Sequence, residues 1–243
     1  MGQLQDRVAV ITGASTGIGQ SIAVAFAAEG AKTVIASRSR EKLEVTANEI
    51  RSAGGQVKVI PTDVTVEQEV IALFQQTLDA FGRVDILVNN AGVSKGGPTD
   101  ELSLEVWQQV IGVNLTGAFL CSREALKIMK PQRSGRIINI GSVSAKVPRV
   151  HSAPYTTSKF GLEGLTRSLA LDARDFGIAA SILHPGNTAT PIWTGREEIA
   201  RQEGVMSPDD LARVAVTIAT LPPEVNLLES TVLPVSMPFV GRG

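Results

Sequence analysis

Short runs of apolar, often β-branched residues alternate along this chain with longer stretches in which apolar positions recur every three or four residues. The short runs predict strands over residues 7–12, 32–37, 56–61, 85–88, 135–141 and 178–184. The longer stretches predict helices over 18–29, 40–53, 66–81, 104–129 and 154–176. Gly30, Gly54, Gly82 and Gly177 follow four of these helices, where a residue of either hand closes the last turn. The strands are apolar throughout rather than alternating, as a parallel sheet covered on both faces requires. Repeated strand–helix–strand order then implies an α/β fold with a doubly wound sheet and right-handed crossovers. No linker, repeat or low-complexity tract interrupts residues 1–243, which read as one domain. Residues 187–207 are polar, poorly periodic and follow a strand. Ligands of such sheets bind outside the carboxyl ends of strands, so this segment reads as a substrate lid. Residues 222–243 hold four prolines and read as an extended tail with one last strand near 228–233.

Composition narrows the partners. A chain of 243 residues, 43% hydrophobic, can bury one large core. A net charge of −1 and the lack of a long basic run argue against nucleic acid. The single cysteine, Cys121, rules out an intramolecular disulfide, fits a reducing compartment, and reads as a small buried side chain. The first six residues are polar and lead into a strand, unlike a signal peptide. No apolar stretch free of charges and turn residues reaches membrane-spanning length. The expectation is a soluble, cytoplasmic protein with no membrane partner.

Two local patterns carry chemistry. Thr12-Gly13-Ala14-Ser15-Thr16-Gly17-Ile18-Gly19 follows a strand and opens a helix. Its glycines permit a tight turn and close approach of backbone to a diphosphate, and the helix start offers free N–H groups and positive dipole. Further on, Tyr155 and Lys159 lie four apart in a predicted helix, so their side chains share a face one turn apart. An ammonium beside a phenol favours the phenolate and brings tyrosine toward the range useful for proton transfer near neutrality. Ser142 ends a predicted strand just before that helix, which would bring all three to the carboxyl edge of the sheet.

The glycine spacing, Gly-x-x-x-Gly-x-Gly, resembles that of the classical short-chain dehydrogenase/reductase superfamily, and other stations agree in order. Asp63-Val64 matches the pair that holds the adenine, Asn89-Asn90-Ala91-Gly92 the motif after the fourth strand, and Asn114 an active-site asparagine. Ser142, Tyr155 and Lys159 match the catalytic set, and Pro185-Gly186 with Thr188 the nicotinamide side. The resemblance covers about residues 3–190 and implies a seven-stranded Rossmann sheet. It further implies that Tyr155 is the general acid or base and that Ser142 hydrogen-bonds the substrate oxygen. Lys159 would assist the tyrosine and bind the nicotinamide ribose, and Asn114 would hold a water linking Lys159 to solvent. Cofactor contacts would come from Gly13, Ser15, Thr16, Gly17, Ile18, Gly19, Asp63, Val64, Asn90, Ala91, Gly92, Pro185, Gly186 and Thr188. A homotetramer is common in such proteins, although the tail here, Thr231 to Pro238, departs from the usual pattern.

The end of the second strand selects the cofactor. An acidic residue there would bind a ribose 2′-hydroxyl and repel a 2′-phosphate. Ser37 followed by Arg38 suits a phosphate, so NADP(H) is expected. Ser144, His151 and Trp193 are candidates for the substrate wall, with Lys95 near its mouth, while His184 reads as a buried, satisfied imidazole. The expected activity is reversible NADPH-dependent reduction of a small-molecule ketone or aldehyde. Three alternatives stand beside it: a 3-oxoacyl carrier-protein reductase docking through Arg123, Lys127, Lys130 and Arg133, a small hydroxy-acid dehydrogenase, and a catalytically silent NADPH-binding regulatory protein.

Overall fold

The computed structural model describes residues 2–190 and 197–239. Its strands are β1 (Val8–Thr12), β2 (Lys32–Ser37), β3 (Gln56–Pro61), β4 (Ile86–Asn89), β5 (Gly135–Ile140), β6 (Ile178–Pro185) and β7 (Glu229–Val232). Its helices are α1 (Gly17–Ala28), α2 (Arg40–Ser52), α3 (Glu67–Phe81), α4 (Leu104–Ile111), α5 (Gly117–Gln132), α6 (Ala153–Ala173), α7 (Glu197–Glu203) and α8 (Pro208–Thr220). The strands form one parallel sheet in the order β3-β2-β1-β4-β5-β6-β7, the doubly wound Rossmann arrangement.

Alternation along the strands divides the core in two. Ala9, Ile11, Ile35, Val88 and Ile138 pack with Phe26 of α1, Leu43 of α2 and Leu211 of α8. Their neighbours Val10, Val34, Leu87 and Ile137 point to the other face, with Phe74 of α3, Met129 of α5 and Leu169 of α6. Both faces are therefore dry, which is why the strands read as unbroken apolar runs. Cys121 lies in the second layer, and burial pushes its thiol up to about 12.

Three expectations need correction. The helix over 104–129 is two helices, because Gly112–Thr116 forms a π turn between α4 and α5. The extra residue in that turn accommodates Asn114, whose side chain is buried and bonded off the helix axis. α5 then runs past Pro131 and ends not on glycine but on Arg133, at φ 52. Second, α8 was not anticipated. Ser207 accepts from Asp209 N at 3.2 Å, while the Asp210 carboxylate accepts from Ser207 N at 3.1 Å, a capping box with Pro208 in the first turn. Third, 187–207 is not wholly irregular. Asn187 and Thr188 are buried, Thr188 bridges Met206, and α7 lies between. Trp193 falls outside the described residues. Among the described residues no helix is long and apolar enough to cross a membrane.

The proline-bearing loop before β7 is tied to the sheet by Asn226, which bonds Ala180 O and the Ser181 hydroxyl at 2.9 Å each, and by a buried cation. Arg136 of β5 donates to the carbonyls of Leu221, Pro222 and Val225 at 3.0, 3.2 and 3.2 Å. Arg136→Met would leave those acceptors without their charged donor. Its expected cost is about 2–3 kcal/mol, read from the urea unfolding midpoint; an unchanged midpoint would show that the loop is held by other contacts.

Candidate active site

Strand order reverses between β1 and β4, and their carboxyl ends open a crevice. The Thr12 hydroxyl accepts the N–H groups of Asn90 and Ala91, each at 3.1 Å, and donates to Val88 O at 3.3 Å. The Asn90 amide donates to the carbonyls of Thr12 and Gly13 at 3.1 and 3.0 Å. Gly13 has φ +64, and a Cβ there would come within 2.7 Å of Ala91 Cα. Glycine is therefore required twice at this position, by backbone hand and by space. Thr16, the N-cap of α1, makes no side-chain cap, so the first-turn N–H groups stay available to a ligand.

One half of the crevice is a cavity of about 640 Å³ between this turn and the ends of β2 and β3. Gly13, Ser15, Thr16, Gly17 and Ile18 line one side, and Asp63, Val64, Ala91 and Gly92 the other. Ser37 and Arg38 close its end, joined by Lys42 from the first turn of α2. Sequence reading missed Lys42. Its signal was the last of three cations, Arg38, Arg40 and Lys42, that follow a strand end without an acid. The Ser37 hydroxyl is buried and, among the described residues, has no hydrogen-bond partner. An unsatisfied donor beside two cations fits a phosphate group. Asp63 is pinned by Thr65, whose N–H and hydroxyl reach its carboxylate at 2.9 and 2.7 Å.

The other half, about 730 Å³, shares Ile18, Asn90, Gly92 and Thr190 with the first. Ser142, Ser144, His151, Tyr155 and Lys159 line it, as do Pro185, Gly186 and Thr188. The Ser142 Oγ accepts from Ser144 N at 3.1 Å, which leaves its own proton to donate. Lys159 Nζ donates to Ile140 O at 2.8 Å and lies 5.6 Å from the centre of the Tyr155 ring. Burial pulls the Lys159 ammonium down from 10.5 to about 8. Lys95 also lines this cavity, bonded to Gln109 at 2.9 Å, as does Arg149, bonded to Glu203 at 2.7 Å. His151 stands at φ 59, with its carbonyl so close to Gly96 that a Cβ on Gly96 would collide with it.

Two residues expected in the site lie behind it. Gly19 faces Asn90 beneath the turn. Asn114 lines neither cavity. Its amide donates to Val93 O and Ser158 Oγ, each at 3.0 Å, and its oxygen accepts from Val93 N at 2.8 Å. It clamps the chain after β4 to α6. His184 is fully buried as expected, but among the described residues its Nε2 has no hydrogen-bond partner.

A glycine-rich turn at a strand-order reversal, continuous with a cavity holding serine, tyrosine and lysine, is the architecture of a nicotinamide oxidoreductase. A family model for short chain dehydrogenases matches residues 7–200, and the chain belongs to that family. It is 39% identical over 193 residues to an uncharacterised oxidoreductase, YxbG, of Bacillus subtilis strain 168, covering 79% of this chain and 70% of that one. It is 37% identical over 224 residues to a hydroxy(phenyl)methylsuccinyl-CoA dehydrogenase subunit, BbsD, of Thauera aromatica, covering 89% and 90%. Among solved structures, an actinorhodin polyketide ketoreductase with NADPH superposes with a TM-score of 0.90 at 33% identity, over 96% of this chain and 98% of that one. A metagenomic short-chain oxidoreductase in complex with NADP gives 0.85 at 35% identity, over 96% and 99%.

The buried lysine has a measurable consequence in the cofactor-free protein. Its folded value, about 8, lies below the ordinary 10.5. Between those values the unfolded chain still holds the proton that the fold has released, so stability rises with pH across that window and the penalty is full below it. Lys159→Met removes this dependence. The stability of the variant relative to wild type should therefore fall by about 3 kcal/mol from pH 8 to 10.5. Urea midpoints at both ends measure it, and a constant difference would refute a depressed Lys159.

Proposed function

We propose that this protein is an NADPH-dependent carbonyl reductase, reversible as an alcohol dehydrogenase, with Tyr155 as its general acid and base. The observation that carries the reading is the single cavity where Ser142, Tyr155 and Lys159 meet, opening directly onto the glycine-turn crevice. The unsatisfied Ser37 hydroxyl beside Arg38 and Lys42 supports a 2′-phosphate and hence NADP(H) over NAD(H). NADP-bound and NADPH-bound relatives of the same fold support it further.

When bound, NADPH supplies the hydride that reduces the carbonyl carbon. The protein has then to hold the substrate and deliver one proton to its oxygen. Ser142 donates a hydrogen bond to that oxygen and stabilises its growing negative charge. Tyr155 transfers its phenolic proton to the same oxygen, which completes the alcohol; oxidation reverses each step. The Lys159 ammonium favours the resulting phenolate. One of its three N–H donors is held by Ile140 O, which leaves two for ribose hydroxyls. Asn114 supports this set from behind. Because both of its amide hydrogens are committed to Val93 and Ser158, its side chain could hold a relay water for Lys159 only by accepting from it through Oδ1. The turn residues Ser15 to Ile18, with Gly13, would carry the diphosphate, Asp63 and Val64 the adenine, and Pro185, Gly186 and Thr188 the nicotinamide.

The carrier-protein reading finds less support. Arg123 is paired with Glu67 and Glu124, and Lys127 with Glu124. Lys130 and Arg133 lie over the Phe176 ring. These charges are already engaged within the chain.

A panel of ketones, aldehydes, keto-esters and thioesters, each with NADPH and NADH, tests the class through nicotinamide absorbance. Tight NADPH binding without reduction of any carbonyl would favour a regulatory protein. Tyr155→Phe is expected to lower turnover by about 10²–10⁴-fold with NADPH affinity retained; residual activity above roughly a tenth would reject Tyr155 as the proton donor. Replacing Ser37 with Asp and Arg38 with Gln should move the kcat/KM ratio toward NADH, because the carboxylate then repels the 2′-phosphate. An unmoved ratio sinks the NADP assignment.

A further inference from the structure

His184 stands behind the reacting cavity, at the point where β5 and β6 part. Their ladder runs as far as Ile140 and Leu183, and the Gly141 N–H still reaches Leu183 O at 2.7 Å. One residue further the backbone partner of Ser142 N is missing, and the His184 ring takes its place. Nδ1 lies 3.2 Å from Ser142 N and 2.9 Å from Ser142 O. The ring rests against Gly141, where a Cβ would come within 2.6 Å of Nδ1. On the far side, Nε2 faces the carboxylates of Glu163 and Glu229 at 4.0 and 3.9 Å. Those carboxylates hold Lys146 at 2.7 and 2.8 Å and Arg167 at 2.8 and 2.9 Å. Two anions and two cations thus surround one imidazole edge, and the Lys146 ammonium occupies the space between the carboxylates that a metal ion would need.

This environment selects one form of the ring. If Nδ1 carried the proton, it could donate only to Ser142 O at 2.9 Å, beside the bond that oxygen already accepts from Ala145 N. The Nε2 lone pair would then face two carboxylates, and the buried Ser142 N–H would lose its acceptor, an arrangement costly on both sides. With the proton on Nε2, Nδ1 accepts the Ser142 N–H and the Nε2–H points toward negative charge. Burial also disfavours the imidazolium.

We propose that His184 is a positioning residue for Ser142. In its Nε2–H form, fixed by Glu163 and Glu229, it takes the Ser142 N–H and sets the turn that aims the Ser142 hydroxyl at the substrate. The inference rests on the reading of Ser142 given under Proposed function. It adds a residue that neither touches the cavity nor belongs to the reacting set.

The unaltered protein gives the first test. The chain has 2 histidines, so heteronuclear NMR of the ring nitrogens, with His151→Gln for assignment, reports the form of His184 directly. A neutral ring protonated on Nε2 is expected at neutral pH; a ring protonated on Nδ1, or an imidazolium, overturns the proposal. The second test compares variants on any carbonyl that the wild type reduces. His184→Leu should lose about tenfold to a hundredfold in kcat, with KM and NADPH affinity little changed. His184→Asn, whose Oδ1 can stand where Nδ1 stood, should restore most of that loss. Wild-type kcat in the leucine variant, or an asparagine variant no better than leucine, refutes the role. If the leucine variant fails to fold, His184→Gln replaces it, since its longer amide favours the carboxylate side over Ser142, and asparagine must still outperform it. Should the wild type reduce no carbonyl, the functional reading fails while the NMR result still decides the tautomer.

Discussion

The geometry of the site depends on how β1 and β4 are joined where the strand order reverses. Two parallel strands that lead to helices on opposite faces diverge past their ends, and nothing in the ladder stops them. Here one hydroxyl and one amide bridge the gap. Thr12 receives the chain of β4 through two N–H groups, and Asn90 returns two bonds to the carbonyls of Thr12 and Gly13. The clamp makes the phosphate turn and the chain leading to the reacting cavity one body. It also explains the glycines: Gly13 and Gly19 sit where Ala91 and Asn90 come too close for any Cβ.

The second organising element is a single stripe of α6. Tyr155, Lys159, Glu163 and Arg167 recur every four residues and so fall on one face. The upper two line the cavity. The lower two, with Lys146 and Glu229, fasten α6 to the start of β7 and to the turn after Ser142. Each such pair at a wet surface would be worth little. Grouped around His184, they fix the charge that a buried imidazole meets and so act through its tautomer more than through their own energy.

What could be read from the sequence follows the range of the rule involved. Strand runs, the glycine turn and the Tyr155/Lys159 spacing rest on local geometry and were legible. The helix α8 was not, although Ser207-Pro208-Asp209-Asp210 is a helix start. Its body, with Val214, Val216, Thr217, Ile218 and Thr220, is rich in β-branched residues that favour strands. Burial of Leu211, Ala212, Ala215 and Ile218 decides the matter, and that depends on a partner helix far away in sequence. The π turn was invisible to a periodicity of three to four, and Asn114 gave only the hint of an asparagine in a helix. Lys42 gave only the hint of a cation shortly after Arg38, and His184 needed the third dimension outright, since its neighbour Ser142 comes from another element.

A layer of neutral polar groups lies beneath the site where an apolar layer would have served stability better. Asn89 donates to Asn139 at 2.8 Å and to Ser122 at 2.9 Å, and Asn139 donates to Thr166 at 2.8 Å. All four are buried, and among the described residues Asn89 Oδ1 is left without a partner. Such a network contributes little net free energy, and an incomplete one costs some. Apolar side chains, however, tolerate sliding, whereas these bonds close only in one register of β4, β5, α5 and α6. A slip of α6 by one residue would move Tyr155 about 1.5 Å along the helix axis and turn it by roughly 100°. That would remove the phenol from the cavity altogether. The polar layer therefore contributes position, and for the proposed transfer of one proton from Tyr155 to one oxygen, position is what the reaction would require.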